Sequence, residues 1–240
     1  MADPILQIRH VSKFFGGLAA NSDVSFEMEL GMIMGLIGPN GAGKTTLFNC
    51  ITGYYPPSRG DVIFKGVRLN GLQPDAVCRL GMVRTWQKVK PLAKLSVIDN
   101  VMVGALVRTR KLSVAREVAR EQLRVVRMEH KAEHLAGGLP IGERKKLEVA
   151  RVLATGPELV CLDEVMGGLN PAESEEIIQL ILELRKGGLT QIVIEHDMKA
   201  IMRISDRIVV LNSGEKLAEG TPAEVVANRE VVTAYLGEAP

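Results

Sequence analysis

The first hundred residues alternate between short apolar stretches and turn residues, a pattern typical of strands. The extended candidates are residues 5–11, 20–29, 32–37 and 61–64, and two further apolar segments follow at 159–162 and 192–194. Segment 32–37 has no polar side chain, and the two later segments share this character. Strands without polar alternation are usually covered on both faces, as in a parallel sheet. The pattern therefore predicts an α/β core.

The pattern changes between residue 89 and about residue 154. Apolar side chains recur there near helical spacing among arginine and glutamate residues, at Val114, Val118, Leu123, Val126 and Met128. This spacing predicts a helical insertion. The alternative is that these helices only cover the sheet.

Two later segments carry the residues that start helices. Asn170 offers a capping side chain, Pro171 suits the first helical position, and Glu173 can reach back to the cap. The same device recurs from Thr221 to Glu224. Helices are therefore expected from both points, the second of them short.

Composition narrows the class of protein. The chain has 240 residues, 46% hydrophobic and 24% charged, with a formal net charge of +2. Such a chain can bury a full core, as one large domain or a domain with an inserted lobe. The near-neutral charge gives no support for nucleic-acid binding. Cys50, Cys78 and Cys161 form no C-x-x-C pair, which argues against a zinc site or disulfide framework and favours a reducing cytosol.

Neither a signal sequence nor a membrane span is recognisable. The first five residues lack a basic and apolar leader, and no apolar run approaches the roughly 20 residues that span a bilayer. Any membrane contact is therefore expected to run through a partner.

A glycine-rich stretch directly after segment 32–37 is the most specific motif of the chain. It satisfies G-x-x-x-x-G-K-[ST] with Gly38, Pro39, Asn40, Gly41, Ala42, Gly43, Lys44, Thr45 and Thr46. In this strand-to-helix context the backbone N–H groups surround phosphate oxygens and the lysine reaches the β- and γ-phosphates. The threonine hydroxyl at Thr45 would hold Mg²⁺. The alternative is a glycine-rich turn that binds nothing.

Acidic and imidazole groups follow the two later apolar strands. Asp163, at the end of the first, is the candidate Mg²⁺ ligand, and Glu164 next to it would polarise the attacking water. Paired acids at a strand end can instead cap a helix. His196 follows the other strand and could donate to the γ-phosphate, although such histidines are more often structural.

With these motifs in this order, the chain resembles the nucleotide-binding subunits of ABC transporters over nearly its full length. The resemblance implies an α/β fold, with a P-loop NTPase (RecA-like) core, an N-terminal antiparallel β subdomain and an inserted α-helical subdomain. It implies one nucleotide-binding domain over 1–240. Its parts would be a core at 1–87 and 155–221, a helical subdomain at 88–154 and a helical tail at 222–240.

The resemblance assigns further site residues. Phe15, before a glycine, matches the adenine-stacking aromatic, with Phe14 as an alternative and core packing as a competing role for either. Gln87 matches the glutamine that touches Mg²⁺ and transmits the nucleotide state to the helical lobe. These implied roles add to those of Glu164 and His196.

The family's signature sequence, ordinarily Leu-Ser-Gly-Gly-Gln, faces the γ-phosphate held by a partner subunit. It corresponds here to Leu139, Pro140, Ile141, Gly142 and Glu143, which keep only the leucine and the second glycine. A missing serine hydroxyl removes a phosphate donor worth roughly 1.5 to 3 kcal/mol. Backbone N–H groups of Gly142 and Glu143 can still bind an anion.

Three segments look like the branch that imports branched-chain amino acids and related solutes such as urea or aromatic acids. They are Gly167-Gly168-Leu169-Asn170-Pro171, Glu195-His196-Asp197-Met198 and Ala234-Tyr235-Leu236-Gly237-Glu238. The tail is also similar to ATPases of lipopolysaccharide exporters, which gives the alternative function. ABC proteins of translation or DNA repair would need two fused cassettes or a long coiled-coil insertion.

The resemblance also implies cofactors and partners. ATP with Mg²⁺ would lie between two cassettes, as a homodimer or a heterodimer with a second ABC ATPase. Two permease chains and, for an importer, a substrate-binding protein would complete the assembly at the cytoplasmic face of the membrane.

Overall fold

The computed structural model of the chain describes residues 3–87 and 90–236, without the side chains of residues 235 and 236. Its strands are β1 (Leu6–Phe15), β2 (Leu18–Met28), β3 (Ile33–Ile37), β4 (Arg59–Phe64), β5 (Val67–Arg68), β6 (Met82–Arg84), β7 (Leu159–Asp163), β8 (Thr190–Ile194), β9 (Arg207–Asn212) and β10 (Glu215–Gly220). Its helices are α1 (Lys44–Ile51), α2 (Pro74–Leu80), α3 (Val97–Ala105), α4 (Leu112–Val125), α5 (Ile141–Leu153), α6 (Pro171–Lys186), α7 (Met198–Ile204), α8 (Pro222–Ala227) and α9 (Arg229–Leu236). Two 3₁₀ turns, Glu129–Lys131 and Ala136–Gly138, separate α4 from α5.

The strands form two sheets. An antiparallel sheet has the order β2-β1-β4-β5, and a second sheet has the order β10-β9-β3-β8-β7-β6. Neighbouring strands of the second sheet are parallel from β9 to β6, and only β10 pairs antiparallel, at its edge. The predicted α/β core with an antiparallel β unit is confirmed.

Both faces of the second sheet are covered by apolar side chains. Along β7, Leu159 and Cys161 belong to one buried cluster, and Val160 and Leu162 belong to the other. The first cluster includes residues of β1, β2, β4 and α1, and the second includes residues of α3 to α7. Because successive side chains of a strand point to opposite faces, double coverage requires apolar residues at every position. This explains why these strands show no polar alternation.

The first three helices after residue 96 pack against one another. These are α3, α4 and α5, and the inner face of α4 consists of Ala115, Ala119 and Leu123. Val114 was predicted to belong to the apolar face, but it is 38% exposed. Successive residues of a helix are rotated by about 100°, so Val114 points outward when Ala115 points inward. The subdomain limits 88–154 stay a prediction, and residues 88 and 89 lie outside the described part of the chain.

Several predicted element limits need correction. β1 does not stop at residue 11 but continues to Phe15, since Phe15 pairs with Leu18 across a tight turn that Gly16 enters with a φ of +58°. β9, β10 and α2 had not been predicted. The helix starts at Asn170 and Thr221 are confirmed, each with a complete capping box. Among the described residues, no helix is both long and apolar enough to cross a bilayer.

Candidate functional site

The glycine-rich loop runs from the end of β3 at Ile37 to the start of α1 at Lys44. Gly43 caps the helix with a φ of +93°, and a Cβ atom there would lie 2.4 Å from the carbonyl oxygen of Ala20. The side chain of Asn21 donates to the carbonyl of Gly43 at 3.2 Å. Only glycine fits this position, so contacts with β2 hold the loop against the N-terminus of α1.

One cavity of about 820 Å³ collects most of the candidate site residues. Its lining includes Phe15, Asn40, Gly41, Ala42, Gly43, Lys44, Thr45, Thr46, Gln87, Glu164 and His196. These residues come from β1, the glycine-rich loop, α1 and the loops after β6, β7 and β8. The tertiary structure therefore brings four separate segments to the phosphate-binding motif.

Lys44 is folded back onto its own loop. Its ammonium donates to the carbonyl oxygens of Gly38 at 2.7 Å and Pro39 at 2.9 Å. Burial lowers the pKa of Lys44, while the nearby Glu164 and Asp163 act in the opposite direction. A buried cation satisfied by two neutral carbonyls can exchange them for phosphate oxygens at little cost in desolvation.

Glu164 lies between the two other candidate catalytic residues. Its carboxylate accepts from the amide of Gln87 at 2.6 Å and lies 2.9 Å from Nε2 of His196. The backbone of Glu164 has a φ of +49°, in the left-handed region that non-glycine residues rarely adopt. Such strain persists only where the surrounding structure enforces it, and it is concentrated at functional sites.

Asp163 ends β7 and makes a buried ion pair with Arg84 of the neighbouring strand β6. Arg84 also donates to Asn49 at 2.6 Å and to the carbonyl of Thr85 at 3.1 Å. Burial raises the pKa of Asp163, and Arg84 opposes this effect. Neither acid caps a helix, because Asn170 caps α6. Sequence reasoning missed Arg84, although an arginine directly after two apolar residues was a usable signal.

The candidate Mg²⁺ ligands Thr45, Gln87 and Asp163 line a second cavity of about 560 Å³. Among the described residues, no cluster of three or more His, Cys, Asp or Glu side chains could hold a metal ion. The donors are instead one hydroxyl, one amide and one carboxylate. Mg²⁺ is usually bound by one or two carboxylates together with substrate phosphates and water, so this donor set fits it.

The two phenylalanines differ in position. Phe15 is 43% exposed and lines the cavity, with its ring edge-on to Tyr55 at 5.3 Å between centroids. Phe14 is 36% exposed, and Arg59 lies over its ring. Neither ring belongs to the core, so the competing packing role is wrong for both. Stacking of adenine on Phe15 stays a prediction.

Among the described residues, none from Leu139 to Glu143 lines the cavity of its own chain. Pro140 is the N-cap of α5 and supplies no capping side chain, so no side-chain hydrogen bond from the cap satisfies the first N–H groups of the helix. Gly142 is buried, and a Cβ atom there would lie 2.6 Å from the carboxylate of Glu173. Glu143 pairs with Lys131.

Three buried ionisable groups near the site had not been predicted. Lys145 and Glu148 lie on α5, and Glu195 precedes His196. Burial lowers the pKa of Lys145, raises that of Glu148 and raises that of Glu195 to about 7. Glu195 accepts from the backbone N–H of Met166 at 2.7 Å. Their positions gave no local signal, since each contact joins segments distant in the chain.

Comparisons with known proteins agree with this geometry. The family model described as ABC transporter matches residues 21–167, and a model described as branched-chain amino acid ATP-binding cassette transporter matches residues 215–240. The high-affinity branched-chain amino acid transport ATP-binding protein LivG of Salmonella typhimurium is 42% identical over 256 residues, covering 100% of both chains.

Two solved structures share the fold. An ATP-binding cassette of an ABC transporter in its ADP conformation matches with a TM-score of 0.89 and 30% identity, over 99% of this chain and 100% of that one. A dimeric cassette in a post-hydrolysis state bound to ADP and Pi matches with a TM-score of 0.82 and 25% identity, over 90% and 98%.

Proposed function

Because the chain belongs to the ABC transporter family as an ATP-binding cassette with ATPase activity, we propose that it powers the uptake of branched-chain amino acids. The observation that carries the assignment of the chemistry is the position of Glu164, which is held between Gln87 and His196 beside the phosphate-binding loop. The cargo follows from the relatives and not from these residues.

Glu164 is the general base of the proposed hydrolysis. Its carboxylate accepts a proton from a water molecule that attacks the γ-phosphate in line with the leaving oxygen. His196 and Gln87, which both contact this carboxylate, orient it and contact the phosphate side of the site. The contacts that Gln87 and His196 make with the carboxylate of Glu164 support the roles of all three residues.

Lys44 and the loop backbone hold the triphosphate. Lys44 leaves the carbonyls of Gly38 and Pro39 and binds the β- and γ-phosphate oxygens, where its charge offsets theirs. Thr45, Gln87 and Asp163 would hold Mg²⁺, which neutralises charge on the phosphates when it is bound. Phe15 would stack on the adenine at the cavity rim.

A second cassette completes the site, because the segment from Leu139 to Glu143 does not reach the cavity of its own chain. The N-terminus of α5, which has no side-chain cap, supports a role in binding the nucleotide of a partner cassette. The dimeric solved cassette supports the same arrangement. Light scattering of the Glu164→Gln protein with Mg-ATP decides whether the partner is a second copy or a different ATPase.

A groove between α3 and the core is the proposed contact with a permease at the cytoplasmic face of the membrane. Tyr54, Trp86, Val103 and Val107 line a cavity of about 280 Å³ there, and each of these side chains is at least 38% exposed. Exposed apolar residues around a groove are typical of a protein interface. Trp86 adjoins Gln87, so nucleotide state and permease contact meet in one loop.

The decisive experiment is transport by the assembled complex. Affinity purification of the tagged chain from its own membranes, followed by mass spectrometry, identifies the permease chains and any second ATPase. In proteoliposomes loaded with ATP, this complex and its binding protein should accumulate labelled leucine. A Lys44→Ala complex should not, since the triphosphate contact is lost.

Uptake of urea or an aromatic acid without leucine would overturn the cargo. Extraction of lipopolysaccharide without any uptake would instead support the exporter. In either case, ATP turnover by the complex in detergent tests the ATPase assignment separately.

A further inference from the structure

Two side chains on one face of α5 reach the two loops that carry the candidate catalytic residues. Lys145 donates through Nζ to the backbone carbonyl of Glu164 at 2.6 Å. Glu148 accepts through Oε1 from the backbone N–H of Trp86, the neighbour of Gln87, at 2.8 Å. Residues three apart on a helix share a face, so one helical turn holds both loops.

Both side chains are ionisable and almost completely buried, Lys145 at 5% and Glu148 at 3% exposure. Burial of a charge is costly unless specific partners compensate for it. Glu195 and Glu148 both lie close enough to raise the pKa of Lys145 against the effect of burial. An apolar pair could fill the same space but would form no hydrogen bond with either loop. The two hydrogen bonds therefore distinguish Lys145 and Glu148 from residues that only pack.

The contact from Lys145 acts on the strained backbone of Glu164. The N–H of Glu164 donates to the carbonyl of Ile194 at 2.9 Å, and the carbonyl of Glu164 accepts from Lys145. The same carbonyl also accepts from the backbone N–H of Gly167, at the longer distance of 3.2 Å. Together these bonds fix the peptide groups on both sides of a residue with a φ of +49°. A strained backbone needs such external constraints, and a side chain on it is aimed by them.

We propose that Lys145 and Glu148 are positioning residues for ATP hydrolysis, which hold the loops of Glu164 and Gln87 at a fixed distance from α5. This inference rests on the proposed catalytic role of Glu164. Because α5 begins at the segment assigned to the partner's nucleotide, a movement of this helix reaches both loops of its own site together.

The first test compares two lysines on the same helix. Lys145→Met keeps the length of the side chain and removes its donor, so kcat should fall by about tenfold or more while KM for ATP stays within about threefold. Lys146→Met is the matched control, because Lys146 pairs with Glu176 of α6 at the surface and should leave kcat near the parental value. A folded Lys145→Met protein with parental kcat overturns the proposal.

Loss of Lys145 removes the cation that most opposes the effect of burial on Glu195, whereas Glu148 keeps Arg151 at 4.0 Å, and the single variant can lose stability for this reason. The double variant Lys145→Met with Glu195→Gln restores the charge balance and keeps an acceptor for Met166. It should fold and remain slow. If its kcat returns to the parental value, charge balance and not positioning explains the single variant, and the proposal fails.

The second test uses Trp86, which is the only tryptophan of the chain. Its emission reports directly on the loop that Glu148 holds. Glu148→Met should shift the emission to the red and raise its quenching by acrylamide, whereas Glu148→Gln keeps an acceptor and should retain the parental spectrum. Parental emission in both variants overturns the role of Glu148.

These outcomes remain separable from failure of the proposed function. If Glu164→Gln leaves hydrolysis unchanged, the catalytic role of Glu164 is wrong. If Glu164→Gln abolishes hydrolysis but Lys145→Met does not reduce it, only the positioning inference is wrong.

Discussion

Arg84 and Asp163 form a buried ion pair between β6 and β7, with both side chains at most 5% exposed. The guanidinium also lies 4.3 Å from the ring centre of Trp86, so it connects a candidate metal ligand with the loop of Gln87. Asp163 further donates its N–H to the hydroxyl of Thr85 at 3.0 Å. The carboxylate that is expected to hold Mg²⁺ is thus oriented before any ligand arrives.

Arg84→Met should reduce the free energy of unfolding by about 3–5 kcal/mol, because it leaves the carboxylate of Asp163 buried without its cation. Urea unfolding of the nucleotide-free protein measures this loss. Arg116→Met is the control, since Arg116 pairs with Glu133 at the surface and such pairs contribute about 0–1 kcal/mol. Equal losses in both variants would contradict the role given to the buried pair.

Glu164→Gln should keep ATP affinity and lower hydrolysis by about tenfold or more, since it preserves shape but removes the base. Calorimetry measures binding, and phosphate release measures turnover. Unchanged turnover would remove Glu164 from the mechanism.

The same variant tests the dimer. Stalled hydrolysis should retain a closed pair, so light scattering with Mg-ATP should show a doubled mass if the segment from Leu139 to Glu143 completes the site of a second copy. A monomer that still binds ATP would show that a different ATPase or the permease is required.

Glu195 should make stability depend on pH. Burial raises its pKa from 4.5 to about 7, so between these values the folded protein keeps a proton that the unfolded chain releases. The stabilisation is complete below pH 4.5 and is lost as the pH rises through 7, a change of about 3 kcal/mol at roughly 1.4 kcal/mol per pH unit.

Glu195→Gln should remove this dependence. The difference in unfolding free energy between parental protein and variant should shift in favour of the variant from pH 5 to pH 8, measured by urea unfolding without nucleotide and with EDTA. Glu117→Gln, at an exposed position of α4, should follow the parental curve. If the stability of Glu195→Gln depends on pH in the same way as that of the parental protein, titration of Glu195 does not cause the dependence.

Gly43 and Gly66 both have a positive φ, and comparing their alanine variants distinguishes the cost of backbone strain from the cost of a steric clash. Gly43→Ala adds a Cβ atom 2.4 Å from the carbonyl of Ala20, whereas Gly66 has a φ of +76° with no atom within 4 Å. Gly66→Ala should cost about 1–2 kcal/mol from the left-handed backbone alone. Gly43→Ala should cost more and should also weaken triphosphate binding. Thermal unfolding and calorimetry check both, and equal losses with normal binding would contradict the tight loop.

The sequence by itself determined the parts of this protein that local chemistry specifies. The phosphate-binding loop lies within nine consecutive residues, from Gly38 to Thr46, and its glycines, lysine and hydroxyl can be recognised without a fold. The apolar strands and the caps at Asn170 and Thr221 depend on neighbours only a few residues away. These features allowed the fold class, the nucleotide and the two acids at the end of β7 to be predicted.

Only the tertiary structure decided which side chains act together. The hydrogen bonds from Arg84 to Asp163, from Trp86 to Glu148 and from Lys145 to Glu164 join residues that are 79, 62 and 19 positions apart. Such contacts leave no periodic trace in the chain, because each depends on sheet order and helix packing. Helical phase likewise decided that Ala115 is buried and Val114 exposed. A buried charge has a role only through its partners, and folding alone brings those partners to it.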